Sequence, residues 1–324
     1  MNTLRFRFAL LLLTVGVLFA ATLDGPRMGL MFDPHNKSLR PILGIPGAAT
    51  LGGPLEVGVE FDTAAVSPLQ DYVILTTGER RIVELINLNH LPLAPRAIPG
   101  VERSPDVITF SPSGGAAALY HKYRGLIQVL TGLRTSPRVS AELYLSGRIQ
   151  PTALAVSEDG GAVLAGVGQS VYWVSASGEV PLIKGLSKIT AIAFTVGHTA
   201  LVADGVKNQV YRVHAATTAA EVEVVAGAQE GVKSPVALAF SRDNRYAFVA
   251  NAKSGGIVKL DLTEKTVIEK ISCGCTAATL DRLGADDVFR LTAASDRPMW
   301  VLDGTGQKSR VVFVPVDVPR SSAK

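Results

Sequence analysis

Residues 235–271 read PVALAFSRDNRYAFVANAKSGGIVKLDLTEKTVIEKI. It contains four short runs rich in β-branched, aromatic and small apolar residues: VALAF, YAFVAN, IVKLDL and TVIEKI. The groups between them are rich in Ser, Asp, Asn, Lys, Thr and Gly, and such groups form turns. The stretch therefore predicts four consecutive antiparallel strands.

The same strand-and-turn pattern recurs along the chain. The other segments that show it are FDTAAVSPLQD from Phe61, PDVITFSPSGG from Pro105, PTALAVSEDGG from Pro151, ITAIAFTVGHT from Ile189 and CTAATLDRLGA from Cys275. The first turn residues are Ser67, Ser111, Ser157, Thr195, Ser241 and Asp281, at spacings of 44, 46, 38, 46 and 40. Four-stranded units at this period are typical of β-propellers, in which each unit packs on its neighbours. We therefore expect an all-β propeller.

The number of blades depends on the N-terminal part. Six full units extend from about residue 57 to 316, and MGLMFDPHNKSLRPILGIPG from Met28 precedes them. This segment is similar to GGIVKLDLTEKTVIEKISCG, the second half of a unit, and so predicts two further strands. They either complete a seventh blade with C-terminal strands or cover the exposed edge of a six-bladed ring. We expect one propeller domain at 28–318 with six or seven blades, and a tail at 319–324.

One unit resembles a known family. YAFVANAKSGGIVKLDLTEKTV, from Tyr246, is similar to the repeat of the YVTN-type bacterial β-propellers, whose Tyr-Val-x-Asn core matches Tyr246–Asn251. The resemblance covers about one unit, and the other five keep the rhythm without the signature. It implies the fold and little about function, because propellers host many activities.

The composition fits buried strands and excludes intrinsic disorder. Apolar residues make up 47% of the 324 residues and charged residues 19%, with a mean hydropathy of +0.28. Disorder requires the opposite balance. The formal net charge is +4 and the basic residues are scattered, so we expect no nucleic-acid partner.

The N-terminus has the pattern of a secretory leader. Arg5 and Arg7 precede a run without charges at 8–23, and small residues stand at positions 20 and 21. The run is short for a membrane span, and the pattern predicts a signal peptide at 1–21. Bulky residues just before the cleavage point leave an uncleaved N-terminal anchor as the alternative. We expect a periplasmic or extracellular protein that contacts a membrane only through an uncleaved leader.

The two cysteines, Cys273 and Cys275, stand two residues apart. An exported protein can oxidise them to a disulfide, although so short a bridge closes a tight ring. The alternatives are two small side chains without chemistry, or a metal site that would need further ligands.

Two sets of polar residues are candidates for function. The loops between the second and third strands carry basic residues that would face one side of the ring: Arg80, Arg81, His121, Lys122, Arg124, Lys207 and Lys253. Such a face can hold an acidic ligand or partner, or can carry ordinary solubility charges. At the channel mouth, Asp62 and Asp106 from neighbouring units can ligate a hard cation such as Ca²⁺, or can accept backbone N–H bonds in their own loops.

The sequence favours a binding protein. It contains no nucleophile elbow, zinc-protease helix motif or phosphate-binding loop. We therefore expect an exported propeller without a cofactor that engages a protein, peptide or glycan through its loop-rich face. The alternative is a metal-dependent lyase or hydrolase that uses Asp62 and Asp106 at the channel mouth, with His121 as base.

Overall fold

The computed structural model describes residues 25–78, 82–86, 88, 93, 95–214, 216, 220–293 and 297–315. The predicted leader and the predicted tail lie outside the described residues. Within the described part, no helix has both the length and the apolar character needed to cross a bilayer.

The described residues form seven antiparallel sheets, each built from consecutive strands. Blade 1 has three strands: β1 (Arg27–Asp33), β2 (Ser38–Ile45) and β3 (Ala48–Leu51). Blade 2 has four strands: β4 (Phe61–Val66), β5 (Tyr72–Thr77), β6 (Ile82–Ile86) and β7 (Pro95–Ala97). Blade 3 has β8 (Val107–Phe110), β9 (Ala116–His121), β10 (Leu126–Thr131) and β11 (Arg138–Tyr144). Blade 4 has β12 (Ala153–Val156), β13 (Val163–Val167), β14 (Ser170–Ser175) and β15 (Gly178–Ile183). Blade 5 has β16 (Ile189–Phe194), β17 (Ala200–Asp204), β18 (Gln209–His214) and β19 (Glu221–Ala226). Blade 6 has β20 (Pro235–Phe240), β21 (Tyr246–Asn251), β22 (Gly256–Asp261) and β23 (Thr266–Ser272). Blade 7 has β24 (Asp281–Arg282), β25 (Val288–Arg290), β26 (Met299–Asp303) and β27 (Arg310–Val314). A short 3₁₀ turn, Ser146–Arg148, follows blade 3.

An apolar core lies between each pair of neighbouring blades, which makes the ring a seven-bladed propeller. Leu30 of blade 1 packs with Val73 of blade 2 in one core. Met31 of blade 1 packs with Val301 of blade 7 in another, so the ring closes between its first and last blades. The seven cores explain the high apolar content, because both faces of every sheet are covered.

The first turn of most blades is fixed by a buried hydroxyl. Ser67, Ser111, Ser157 and Ser241 are at most 3% exposed. Each side chain accepts the N–H of a residue five positions later, at 2.9–3.1 Å. The serine spacing in the sequence therefore marks a hydrogen bond that every such turn needs.

Blade 1 corrects the expectation for the N-terminal strands. It contains three strands rather than two, and no described C-terminal strand joins it. Lys37, in the β1–β2 turn, forms an ion pair with Asp62 at the start of β4. The end of β1 therefore lies beside the beginning of a first strand. Second strands end at this position in the other blades, so β1 corresponds to a second strand. The similarity to the second half of a unit was misleading because both hairpin turns use an Asp that accepts two backbone N–H groups. β3 was missed because the compared segment ended at Gly47, just before this strand.

Among the described residues, no strand pairs with the inner edge of β1, and Gln70 of blade 2 forms a hydrogen bond there. The Gln70 side-chain oxygen accepts the N–H of Leu30 in β1, and its Nε2 donates to the Arg282 carbonyl of blade 7 at 3.2 Å. Beside it, the Gly284 N–H donates to the Pro68 carbonyl at 3.0 Å. Blades 7 and 2 thus touch across the inner edge of blade 1.

Replacing Gln70 tests this bridge. Gln70→Met keeps the length of the side chain and removes its hydrogen bonds to Leu30, Arg282 and, within the turn, the Ser67 carbonyl. The unfolding free energy should therefore fall by about 1–3 kcal/mol in urea denaturation. Leu69→Ala, at a neighbouring half-exposed position, is the matched control and should change stability by less than about 0.5 kcal/mol. Equal effects of the two substitutions would show that the Gln70 amide does not hold the ring together.

Candidate functional site

Two kinds of loop meet on one face of the ring, called the entry face here. They are the segments that lead into the first strands and the turns that join second to third strands. The Lys122 N–H in one such turn donates to Asp106 in the preceding entry segment at 2.7 Å. In blade 6, the Ala252 N–H donates to the Ser234 carbonyl at 3.0 Å. Hydrogen bonds between the two kinds of loop therefore build this face.

Asp204 organises the blade 5 part of the entry face. It is fully buried at the end of β17, and it accepts the N–H groups of Ser187, Lys188, Val206 and Lys207 at 2.7–3.2 Å. Burial by itself raises the pKa of Asp204, but these four N–H groups stabilise the carboxylate, and the net pKa lies below its usual value. One carboxylate thus fixes two loops.

Asn251 and Asn208 connect the entry-face loops of the next blade through side-chain hydrogen bonds. Asn251 Oδ1 accepts the Lys233 N–H at 2.9 Å, and its Nδ2 donates to the Gly231 carbonyl at 3.2 Å. Asn208 Oδ1 accepts the Ser234 N–H at 2.6 Å and so connects the blade 5 turn to the segment entering blade 6. These hydrogen bonds therefore join the entry-face loops 184–188, 205–208, 227–234 and 252–255 into one connected surface.

The cysteines lie at the end of this surface. Cys273 and Cys275 are joined by a disulfide in the segment that enters blade 7. The Cys273 N–H donates to the Gly255 carbonyl at 2.8 Å. The bridge therefore extends the connected loops from blade 6 to blade 7.

Five exposed lysines project from this surface. We call them the lysine arc: Lys184, Lys188, Lys207, Lys233 and Lys253. The acidic side chains in the same loops are engaged internally, because Asp204 is buried and Glu230 accepts the Gly227 N–H. The Lys207 ammonium donates to the Gly185 carbonyl at 2.7 Å rather than to an acid. The arc therefore carries a net positive charge on a rigid backbone.

The sequence identified only part of this arc. Lys207 and Lys253 were predicted from the turns between second and third strands, and both are exposed. Lys184, Lys188 and Lys233 were missed because they lie in the segments that enter the first strands. Those segments face the same side of a propeller, so a search for charges in both loop types finds all five.

The blade 3 part of the entry face has a different character. His121 is only 5% exposed, and its Nε2 has no hydrogen-bond partner among the described residues. Burial lowers the pKa of His121 below its usual value, although the Arg103 backbone and Glu102 act in the opposite direction. Tyr123 is 89% exposed, and Arg124 forms an ion pair with Glu102. The cluster thus presents an aromatic ring with its local charges balanced.

The remaining predicted basic residues divide between the described and undescribed parts. Lys122 is exposed, and its backbone N–H binds Asp106. Arg80 and Arg81 lie outside the described residues.

The two predicted metal ligands have other partners. Asp62 Oδ1 accepts a hydrogen bond from Lys37 Nζ at 2.7 Å, and Asp106 accepts the Lys122 N–H. In the described part of the chain, no three His, Cys, Asp or Glu side chains form a group suited to a metal. The cation site at these two residues stays a prediction.

A channel of about 830 Å³ lies along the axis of the ring. The first strands line it with small apolar side chains, among them Ala65, Ala155, Ala193 and Ala239. Where the first strands end, Gln70 and Arg282 contribute polar groups. The lysine arc therefore lies outside the apolar channel, on the loops that surround its entry end.

Known structures share this architecture. A functionally unknown protein from Desulfotomaculum acetoxidans is 14% identical with a TM-score of 0.59, over 89% of this chain and 99% of that chain. The WD40 repeats of RRP9 are 14% identical with a TM-score of 0.56, over 80% and 82% of the two chains. A catalytically inactive virginiamycin B lyase from Staphylococcus aureus, with quinupristin, is 13% identical with a TM-score of 0.54, over 79% and 84%.

These likenesses establish the fold. The chain is a β-propeller. At 13–14% identity they carry no activity or ligand to it. No protein-family model matches the chain, and no curated protein matches it.

Removing the Asp204 carboxylate should loosen the entry face. Asp204→Ala leaves four N–H groups without their acceptor, and we expect a loss of about 2–3 kcal/mol of unfolding free energy at pH 7. Because the folded pKa is lowered, this contribution is complete above the usual carboxyl pKa of 3.8 and disappears as the pH falls through the folded value.

Urea denaturation at pH 7 and at pH 3 measures both effects. Asp286→Ala removes a carboxylate that is 72% exposed and should be nearly neutral at either pH. A loss for Asp204→Ala no larger than that of the control, or one that grows as the pH falls, would contradict the assignment.

Proposed function

We propose that this protein is an exported binding propeller whose entry face engages an acidic segment of a partner protein or peptide. The observation that carries the proposal is the lysine arc, in which five exposed lysines stand on loops that buried Asp204 and Asn251 hold in place. A charged surface on fixed loops binds with little ordering cost.

The chemistry of the face favours a peptide over a glycan. Lysine ammonium groups act as point charges that pair with carboxylates in many geometries. Exposed apolar and aromatic side chains stand on the same face: Tyr123 is 89% exposed, Val206 61% and Ile149 56%. Exposed tyrosines with apolar neighbours are typical anchors of protein interfaces.

The proposal includes the cellular location and the repeat type. Arg5, Arg7 and the apolar run after them support export to the periplasm or the cell exterior, where the Cys273–Cys275 disulfide is stable. The sequence of β21 and β22 supports a propeller of the YVTN type. Binding through the lysine arc requires no metal or cofactor.

The enzyme alternative has less support. A metal-dependent lyase or hydrolase would need Asp62 and Asp106 to act together, and each has its own partner. His121 would need access to substrate, and it is 5% exposed. We therefore carry the binding function forward.

Charge reversal tests the proposed face. Lys188, Lys207 and Lys253 are changed together to Glu, and binding of a synthetic Glu-rich peptide is measured by titration calorimetry at several salt concentrations. The wild type should bind with an affinity that falls as salt rises, and the triple variant should lose at least about tenfold, because three attractive charges become repulsive.

The control applies the same change in total charge elsewhere. Arg138, Arg242 and Lys308 are exposed and lie at or beside the turns at the opposite end of the blades, so their joint change to Glu should leave peptide affinity within about twofold. If both triple variants lost the same peptide affinity, the effect would come from the total charge of the protein, and the proposed site would be refuted. Binding of a sulfated glycan but of no acidic peptide would refute the proposed partner class.

A further inference from the structure

The segment that enters blade 7 is unlike the corresponding segments of blades 2 to 6. Its first strand, β24, has only two residues, whereas the first strands of those blades have four to six. Residues 273–280, between β23 and β24, belong to no strand. The Cys273–Cys275 disulfide lies at the start of this segment, and both cysteines are partly exposed. Sulfurs in an irregular loop on the entry face are open to a reactant from solution.

This disulfide contributes little to the stability of the fold. A disulfide stabilises a protein mainly because it closes a loop in the unfolded chain, and the stabilisation grows with the length of that loop. Cys273 and Cys275 are only two positions apart, so their bridge removes little freedom from the unfolded chain. Both cysteines also belong to the same connecting segment, so the bridge ties no second blade to it. The fold therefore gives no strong reason for the bridge.

Other contacts hold the segment in place. The Cys273 N–H donates to the Gly255 carbonyl at 2.8 Å, and the Ala278 N–H donates to the Leu291 carbonyl at 2.9 Å. Both cysteines also pack against an apolar core that includes Trp300. None of these contacts requires the bond between the two sulfurs. The segment can therefore pass between a disulfide and a dithiol form while the blade stays folded.

A positive charge stands on the neighbouring turn. Lys253 is exposed in the turn whose Gly255 carbonyl accepts the Cys273 N–H. The same turn lies close to Cys275, because a Cβ on Gly255 would come within 3.0 Å of the Cys275 carbonyl oxygen. A nearby cation stabilises a thiolate, and thiolates are the attacking and departing groups of thiol–disulfide exchange. Lys253 therefore favours exchange at this bridge.

We propose that Cys273 and Cys275 form a thiol–disulfide exchange site that oxidises the dithiol of a protein or peptide substrate. A substrate thiolate attacks one sulfur of the bridge, the bond between the two cysteines breaks, and the other cysteine departs as a thiolate. The second substrate thiolate then attacks the mixed disulfide, which forms the substrate disulfide and releases the remaining cysteine. Two electrons pass from the substrate to the bridge, and the two protons of the substrate thiols end on Cys273 and Cys275.

The bridge is restored by the same chemistry in reverse. A small-molecule disulfide, such as oxidised glutathione, accepts the two electrons and leaves as two thiols. This activity is separate from the proposed binding of acidic segments, because it depends on the sulfurs and not on capture by the whole lysine arc.

The first test compares reduction of the bridge in the folded and the unfolded chain. The oxidised full chain is treated with dithiothreitol at pH 7, with and without urea, and alkylated cysteines are counted by intact mass. The native rate should lie within about fivefold of the rate in urea, because the fold leaves the sulfurs open to attack. A native rate that is slower by more than this factor would show a bridge protected by the fold, and would overturn the proposal.

The second test measures transfer to a substrate. The oxidised protein is mixed, without oxygen, with a reduced synthetic peptide that contains two cysteines and no acidic residue. One peptide disulfide should form for each protein dithiol, and Cys275→Ser should form none. Absence of the peptide disulfide with the wild-type protein overturns the proposal. The peptide has no acidic residue, so this result is independent of the proposed binding function.

A pair of charge variants tests Lys253 as a positioning residue. Lys253→Glu should slow native reduction by dithiothreitol about threefold or more, because the attacking and departing thiolates then face a negative charge. Lys184→Glu makes the same change at an exposed lysine of the segment that enters blade 5, and its rate should stay near that of the wild type. In urea the two variants should react alike. Equal native rates in both variants would refute the role of Lys253.

Discussion

A sheet that is apolar on both faces cannot remain exposed to water, and every blade of this protein is such a sheet. The constraint decides the architecture, because each blade needs a neighbour on both sides and only a closed ring provides this for all seven. The core between blades 7 and 1 contains ten buried apolar residues. Each contributes up to about 1.5–3 kcal/mol when fully buried, whereas a hydrogen bond contributes about 1 kcal/mol. Packing therefore closes the ring, and the Gln70 bonds adjust the fit.

At both ends of the blades, buried polar side chains accept hydrogen bonds from backbone N–H groups. Buried serines accept backbone N–H groups in the first turns, and Asp204 and Asn251 accept them on the entry face. These acceptors let loops of changing sequence keep one backbone path. The lysine side chains lie outside the cores between blades, so their replacement should cost little packing energy.

Much of the fold was predictable because it follows local rules. The serine spacing and the strand runs gave the four-stranded unit, since hydrophobic pattern and turn chemistry agree at every repeat. Blade 1 was harder: β3 is four residues long, and the Asp33 turn is similar to a hairpin from a different part of the blade. The burial of His121 was also beyond the sequence, because it depends on packing between blades. Of the lysine arc, the sequence analysis indicated Lys207 and Lys253, because it considered only the turns between second and third strands; the other three lie in the segments that enter the first strands.

The seven interfaces between blades are alike in packing and unlike in covalent connection. At six of them, the chain passes directly from one blade to the next. At the interface of blades 7 and 1, no segment of the described residues connects the two blades. The connecting loop limits how far two blades can separate at the first six interfaces, and no described loop does so at the seventh. The interface of blades 7 and 1 is therefore the seam of the ring, where partial unfolding should begin. Blade 1, which has three strands within the described residues, lies directly beside that seam.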